Sequence, residues 1–283
     1  MRQVCFYHAG CPDGFGAAWA VWRAWGDEGR YVPRGHEDGF DPWAFDGDVV
    51  VFVDIAPPPE ALGALSEVAA QLVVLDHHVS ARDRYAENGG FDALHVSRGH
   101  RILFDLAHSG AMLAWRHFHA AAAPALLRYV EDQDLWSWEL PDSEAVNAAI
   151  GSYPRDFATW SALAARSADE LAAEGRPILR ANLQEVERAL QTIAPVSIGG
   201  RRAEAVNSRA QRAQIGHALA ERRAFGLPWG VVYRVTGDRV DVTLYSIGDL
   251  DVAQIAARHG GGGHRNAAGF HVPLRRWLEE FVV

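Results

Sequence analysis

The sequence predicts an α/β protein: a mostly parallel sheet flanked by helices, joined by a helical linker to a smaller α+β domain. Three observations predict it. The first hundred residues alternate short Val-rich runs with apolar-periodic stretches, the rhythm of a parallel sheet covered on both faces. From about residue 100 to 190 the texture is helical. Beyond it lie two stretches that read as β-hairpins, turning at Gly199-Gly200 and at Gly237-Asp238. Residues 1–190 are therefore assigned to the first domain with its linker, and residues 195–283 to the second.

The elements follow in chain order. "QVCFYH" is a short β-rich run, and "GFGAAWAVWRAW" after it has Trp19, Trp22 and Trp25 near helical spacing. "DVVVFVDIA" is a continuous apolar run, as expected of a strand buried on both faces. "PPPEALGALSEVAA" opens with prolines suited to a helix start. "QLVVLDHH" is a further buried strand, and "HSGAMLAWRHFHAAAA" and "APALLRYVEDQDLW" are helix candidates. "ADELAAEGRPILRANLQEVERALQTI" is a long amphipathic stretch that the sequence predicts to be interrupted near Gly175 and Pro177. "DVAQIAARH" is a short helix running into "GGGGHRNAAGF".

Composition limits the function classes. Hydrophobic residues make up 49% and charged residues 22% of the 283 positions, so a sizeable core is available. A formal net charge of -9 argues against coating long nucleic acid, which needs a basic surface. Short anionic substrates remain compatible with it. The two cysteines, Cys5 and Cys11, make no disulfide framework, and a cytoplasmic location is the expectation. No apolar run approaches the roughly 18 residues of a membrane span, and the N-terminus carries no apolar signal core.

Chemistry-bearing residues gather at the strand ends. The first run ends at His8 and leads to Cys11 and Asp13, the next ends at Asp54, and the third at Asp76, His77 and His78. In open α/β sheets ligands bind outside the carboxyl ends of strands, so these residues share one rim. A lone histidine there would read as a hydrogen-bonded core residue or a solvated loop. Two adjacent histidines after an aspartate, beside Asp54, read as a metal site. Carboxylate with imidazole suits manganese, iron or zinc better than calcium. Carboxylates can also bridge two ions about 3.5–4 Å apart, the arrangement for phosphoester displacement. Ser109 and Gly110 at a helix start suit either a phosphate oxygen or a plain N-cap.

"VVLDHHVS" and "GGGGHRNAAGF" together resemble the DHH phosphoesterase superfamily and the glycine-rich signature of its associated C-terminal domain, in the family's order. The resemblance covers essentially the whole chain. It implies metal-dependent hydrolysis by an activated water, with divalent metal, manganese first, at two sites. His8 and Asp13 fall in the first motif, Asp54 resembles the bridging aspartate, and Asp76, His77 and His78 form the third and catalytic motif. His77 is then a ligand, and His78 faces substrate or supports the ligands. "YVEDQDLWSW" resembles the fourth motif, whose aspartate is Asp132 or Asp134, with Asp134 favoured because it precedes Leu135-Trp136. Gly262, Gly263, His264 and Arg265, with His78 and Ser109, are the implied substrate contacts. The implied geometry is a cleft with the metals on the larger domain. "NSR" at 207–209, Arg234 and the tryptophans Trp136, Trp138 and Trp229 are further candidates for contacting substrate, the tryptophans by stacking bases.

One departure stands out. Many members of the superfamily carry Asp-x-Asp in the first motif. In "CPDGFG" either Cys11 occupies the first carboxylate position or Phe15 the second. Cys11 is then a thiolate ligand for a softer metal, the mark of a weakened site, or a buried bystander. The closest resemblance is to the oligoribonuclease-like and cyclic-nucleotide phosphodiesterase-like subgroup, which implies a short oligonucleotide or small nucleotide as substrate. An exopolyphosphatase or phosphomonoesterase is the alternative within the class, and a non-catalytic nucleotide-binding protein the alternative outside it. The resemblance leaves the oligomeric state open, a dimer included.

Overall fold

The computed structural model describes residues 1–35, 38–87 and 99–283. It divides the chain into two compact units, Met1–Leu179 and Arg180–Val283.

The first unit is built on a five-stranded sheet in the order β2-β1-β3-β4-β5. The strands are β1 (Gln3–His8), β2 (Arg30–Arg34), β3 (Val49–Val53), β4 (Gln71–Asp76) and β5 (Arg101–Phe104), and all neighbours pair in parallel. Side chains alternate across a strand, and both faces are covered. Cys5, Val51, Val53, Val73 and Leu75 join one apolar cluster. Val4, Phe6, Val50, Phe52, Leu72 and Val74 join another. The continuous Val-rich runs follow from this two-sided burial. β2 and β5 are the edges, and Pro33 sits in β2, where a strand tolerates a missing N–H.

Helix α1 (Pro12–Trp25) follows β1 directly, with proline at its first position and Cys11 as its N-cap. Helix α2 (Pro59–Val68) starts behind the prolines, and α3 (Val79–Glu87) follows the Asp-His-His turn. Then come α4 (Gly110–Phe118), α5 (Ala125–Asp134), α6 (Ser143–Ser152), α7 (Phe157–Ala164) and α8 (Ala168–Leu190). α1 packs on the first cluster together with residues of α4, α5, α6 and α7. Trp19, stacked on Trp115, and Trp160 are core residues.

The expected interruption near Gly175 and Pro177 is corrected by the structure: α8 is one helix of 23 residues. Gly175 has a packing reason. A Cβ there would lie 1.7 Å from the Ala145 carbonyl oxygen of α6, so the glycine permits close helix approach. The helix continues through Pro177 because proline removes one hydrogen bond without preventing the rest.

The second unit holds a six-stranded sheet in the order β10-β11-β9-β8-β7-β6. β6 (Ala194–Ile198) and β7 (Arg201–Asn207) form the hairpin predicted at Gly199-Gly200, where both glycines have positive φ, as a two-residue hairpin turn requires. β8 (Trp229–Thr236) and β9 (Arg239–Ser246) form the second hairpin. Helix α9 (Arg212–Arg222) contributes Ile215 and Leu219 to a cluster with Val206 and Val232. Helix α10 (Val252–Ala257), capped by Asp251, leads to β10 (Gly262–His264) and β11 (Ala267–Pro273).

Candidate metal centre

The strand order places the first turn of the chain at a switch point. β1 is followed by β2 on one side and β3 on the other, so the crevice between the ends of β1 and β3 is where such a sheet binds ligands. His8 ends β1, Asp54 follows β3, and Asp76 ends β4. Asp13 lies in the first turn of α1.

His77 is the hub. Its Nε2 lies 3.0 Å from Asp54 Oδ1, 3.4 Å from Asp134 Oδ2 and 3.6 Å from Asp13 Oδ2. Asp13, Asp54 and His77 are each at most 2% exposed. The other carboxylate oxygen of Asp54 faces elsewhere: Oδ2 lies 3.4 Å from His8 Nδ1 and 3.3 Å from Cys11 Sγ. Two donor triples, Asp13–Asp54–His77 and His8–Asp54–His78, thus share Asp54.

Backbone holds Asp54 in place. Its φ is +57°, a left-handed conformation that aspartate tolerates better than most residues. A Cβ on Gly110 would lie 2.4 Å from Asp54 Cβ, so glycine at the start of α4 admits the carboxylate. Gly14 has a matching role, since a Cβ there would meet the His8 carbonyl oxygen at 2.2 Å.

Asp13 has two attachments. Its Oδ2 accepts from Gly110 N–H at 2.7 Å, and its Oδ1 from Ala111 N–H at 3.1 Å. A carboxylate at a helix N-terminus is stabilised by the unsatisfied N–H groups there. Ser109, fully buried, accepts from Met112 N–H and caps the same helix. The first N–H groups of α4 therefore face the protein's own Asp13 and Ser109. Glu131 orients the preceding turn, accepting from Ser109 N–H at 3.2 Å and lying 3.1 Å from His108 Nδ1.

The two fourth-motif candidates separate. Asp132 accepts from the N–H groups of Glu139 and Leu140 and ties down the loop after α5. Asp134 points at His77, and its Oδ2 is sealed from solvent without a hydrogen-bond partner. Asp76 acts through neighbours. Its Oδ1 accepts from the His77 and His78 backbone N–H groups and lies 2.7 Å from His78 Nδ1, which assigns a proton to that nitrogen.

Burial disfavours charge throughout, and neighbours then separate the groups. Burial, with Asp54 and Asp134 alongside, pushes the Asp13 carboxyl well above the ordinary range. Burial pushes Asp54 the same way, but its hydrogen bonds to His77 and His8 outweigh this and hold it well below. Burial pulls His77 down, yet the Asp54 hydrogen bond and the Asp134 and Asp13 charges raise it to about 10.

These residues fit a divalent cation. Three carboxylates converge on one buried imidazole, and one of their oxygens has no hydrogen-bond partner. Buried charge of one sign is costly unless paired or metal-bound. The donors are nitrogen and oxygen, as manganese, iron and zinc accept.

No family model matches the chain. Among curated proteins it is 24% identical over 293 residues to Uncharacterized protein R106 of Acanthamoeba polyphaga mimivirus, covering 94% of this chain and 66% of that protein. The chain thus spans just under two thirds of the relative's length. Among solved structures it is similar to a pGpG-specific phosphodiesterase, PggH from Vibrio cholerae, with a TM-score of 0.48 and 11% identity over 98% of this chain and 95% of the other. It is similar also to an exopolyphosphatase-related protein from Bacteroides fragilis, with TM-score 0.42, 13% identity and coverage of 94% and 85%. A third is RecJ from Thermus thermophilus in complex with Mg2+, with TM-score 0.39, 13% identity and coverage of 98% and 48%.

Cys11 and Phe15 lie in different surroundings. Phe15 stacks on Phe157 and meets Trp160 edge-on, inside the apolar cluster. Cys11 stands beside His8 and Asp54. Cys11 and Asp13 thus lie at the centre, and Phe15 lies in the core.

In the second unit the glycine-rich segment is a hairpin. Gly262, Gly263 and His264 form β10 and pair with Gly269, Ala268 and Ala267 of β11. Its glycines have steric reasons: a Cβ on Gly261 would lie 2.0 Å from the Gly269 carbonyl oxygen. Arg265, at the hairpin turn, donates to the Asp249 carbonyl and side chain. Asn266 donates to Ser246 Oγ and the Gly248 carbonyl. Arg234 pairs with Asp241 at 2.7 Å. Trp229 is core, and Trp136 and Trp138 pack on each other with centroids 5.1 Å apart. Among the described residues no helix is long and apolar enough to cross a membrane.

Two residues position the centre in ways not visible in the sequence, where Gly110 reads only as part of a helix start and Glu131 is not singled out. Gly110 admits Asp54, and Glu131 holds the turn before α4. The small residue after Ser109 was the available signal for the first. Nothing local announces the second.

Proposed function

We propose that this protein is a metal-dependent phosphoesterase, and that its substrates are phosphodiesters of short oligonucleotides or small nucleotides. The observation that carries the reading is the orientation of Asp54, whose two oxygens face two different donor groups. A carboxylate placed so would suit two cations, one beside each oxygen. The Asp-His-His and glycine-rich motifs, in their order along the chain, support the same reading.

A pair of divalent cations supplies Lewis-acid polarisation of a phosphoryl group and an activated water at neutral pH. His8, Asp13, Asp54, His77 and Asp134 are the residues that would hold it. Asp13 and Asp54 are preorganised by backbone contacts, so little reorganisation is required on binding. Asp76 keeps the proton on His78 Nδ1 and so fixes the orientation of that ring beside the centre. Burial lowers the His78 pKa, but Asp76 outweighs it and raises it, which favours the charged form that would offset negative charge on a phosphoryl oxygen. His264 and Arg265 of the second unit are assigned to substrate phosphate.

The test is an assay of metal-depleted protein given Mn2+ with the dinucleotide pApA and with a chromogenic phosphodiester. Turnover that falls at least about 100-fold in Asp54→Asn and in His77→Ala is expected, in line with loss of transition-state charge stabilisation. Nucleotide binding without turnover under any divalent metal would make the protein a binding module instead.

A further inference from the structure

Cys11 is more than a cap. Its Sγ lies 3.3 Å from His8 Nδ1 and 3.3 Å from Asp54 Oδ2, and those two atoms are 3.4 Å apart. Sulfur, nitrogen and oxygen thus make a nearly equilateral triangle. Ligands held at about 2.0–2.3 Å from a tetrahedral ion stand about 3.3–3.7 Å from one another. The triangle therefore has the size of one face of such a tetrahedron.

Capping alone does not explain the residue. The thiol accepts from Gly14 N–H at 3.1 Å, but serine, asparagine and aspartate cap helices well, and sulfur is a weak acceptor. A cap selected for its hydrogen bond would be an oxygen. The other thiol, Cys5, is buried in the core cluster of the sheet.

The two sides of Asp54 also differ in chemistry. His8 and Cys11 present nitrogen and sulfur at Oδ2. Asp13, His77 and Asp134 present two carboxylates and an imidazole on the side of Oδ1. Soft thiolate selects zinc, iron or cobalt, whereas carboxylate-rich sets accept manganese or magnesium.

We infer that Cys11 is a metal ligand, forming with His8 and Asp54 a soft cation position beside the harder one at His77, so that the centre takes two different metals. The inference rests on the two-cation reading above. On binding, the thiol proton passes to solvent as the sulfur–metal bond forms. The metal keeps its oxidation state.

Cobalt(II) tests this without reference to turnover. The metal-depleted full-length protein, kept reduced, is titrated with cobalt(II) while its absorption spectrum is followed. A near-ultraviolet sulfur-to-cobalt charge-transfer band is expected in the natural sequence. It is expected to vanish in Cys11→Ser and in Cys11→Asp, both of which keep an oxygen cap on α1. Circular dichroism verifies that these variants are folded. In competition, Cys11→Asp is expected to shift preference at this position from zinc toward manganese. Cobalt binding with ligand-field bands but no sulfur band overturns the role of Cys11 and leaves the two-cation reading standing. Absence of binding by cobalt, zinc and manganese alike overturns both.

Discussion

Position 134 shows how one buried carboxylate would trade stability for the proposed metal binding. Burial and the charge of Asp54 push the Asp134 carboxyl up, partly offset by His77, so its ionised form burdens the metal-free fold. Asp134→Asn is therefore expected to raise the melting temperature of metal-free protein while lowering metal affinity at least about tenfold. Thermal unfolding with chelator and calorimetric titration with Mn2+ read the two effects. Asp132, two residues earlier, should behave in the opposite way. Asp132→Ala leaves the Glu139 and Leu140 N–H groups without their partner, a loss of about 1–3 kcal/mol in a denaturant melt. Metal affinity should change less than in the Asp134 variant. Gly110→Ala belongs with neither. Its new methyl group meets Asp54 directly, so both stability, by about 1–3 kcal/mol, and metal binding should fall.

Elements differ in how legibly the sequence announces them. β3 and β4 are plain because burial on both faces makes continuous apolar runs. The edge strands β2 and β5 carry no such run: β2 is "RYVPR", with a proline and two arginines, and β5 is four residues long. Only pairing to a neighbour makes them strands. The sequence predicts a break in α8 because glycine and proline punctuate most helices. The contact that makes Gly175 useful comes from α6, about 30 residues away in sequence, and no local window contains it. The rim of the centre is legible because strand ends mark it, whereas Asp132 and Asp134 are separable only by what their oxygens meet. At α4 a further outcome follows. Its N-terminal N–H groups face Asp13, so Asp13→Ala should fray the helix as well as weaken the metal site. Hydrogen exchange at Gly110 and Ala111 should quicken even in metal-free protein.

For the molecule as a whole the centre sets a pH dependence. His77 is raised to about 10 in the folded chain, against about 6.5 unfolded. A raised histidine stabilises fully below the unfolded value and loses that contribution as pH rises toward the folded one. His78 is raised as well, by Asp76, and has the same sign. Metal-free protein should therefore grow less stable between about pH 6.5 and about 8, a window in which model thiols stay largely protonated. Urea unfolding with chelator measures it. Saturating divalent metal should reverse the trend, because cation binding requires neutral imidazole and is favoured as protons leave. Calorimetry in buffers of different ionisation enthalpy should register proton release on metal binding.

Asp13 is held in common by a helix and by the centre, and the two claims on it leave different marks on descent. In a lineage that gave up metal binding, Asp134 would be released from selection first, since its buried charge burdens the metal-free fold. Asp13 would persist, because α4 still needs its cap. Among distant cousins of this chain, an aspartate at that place is thus a record of architecture. Loss of Asp134 would be the trace of abandoned metal binding.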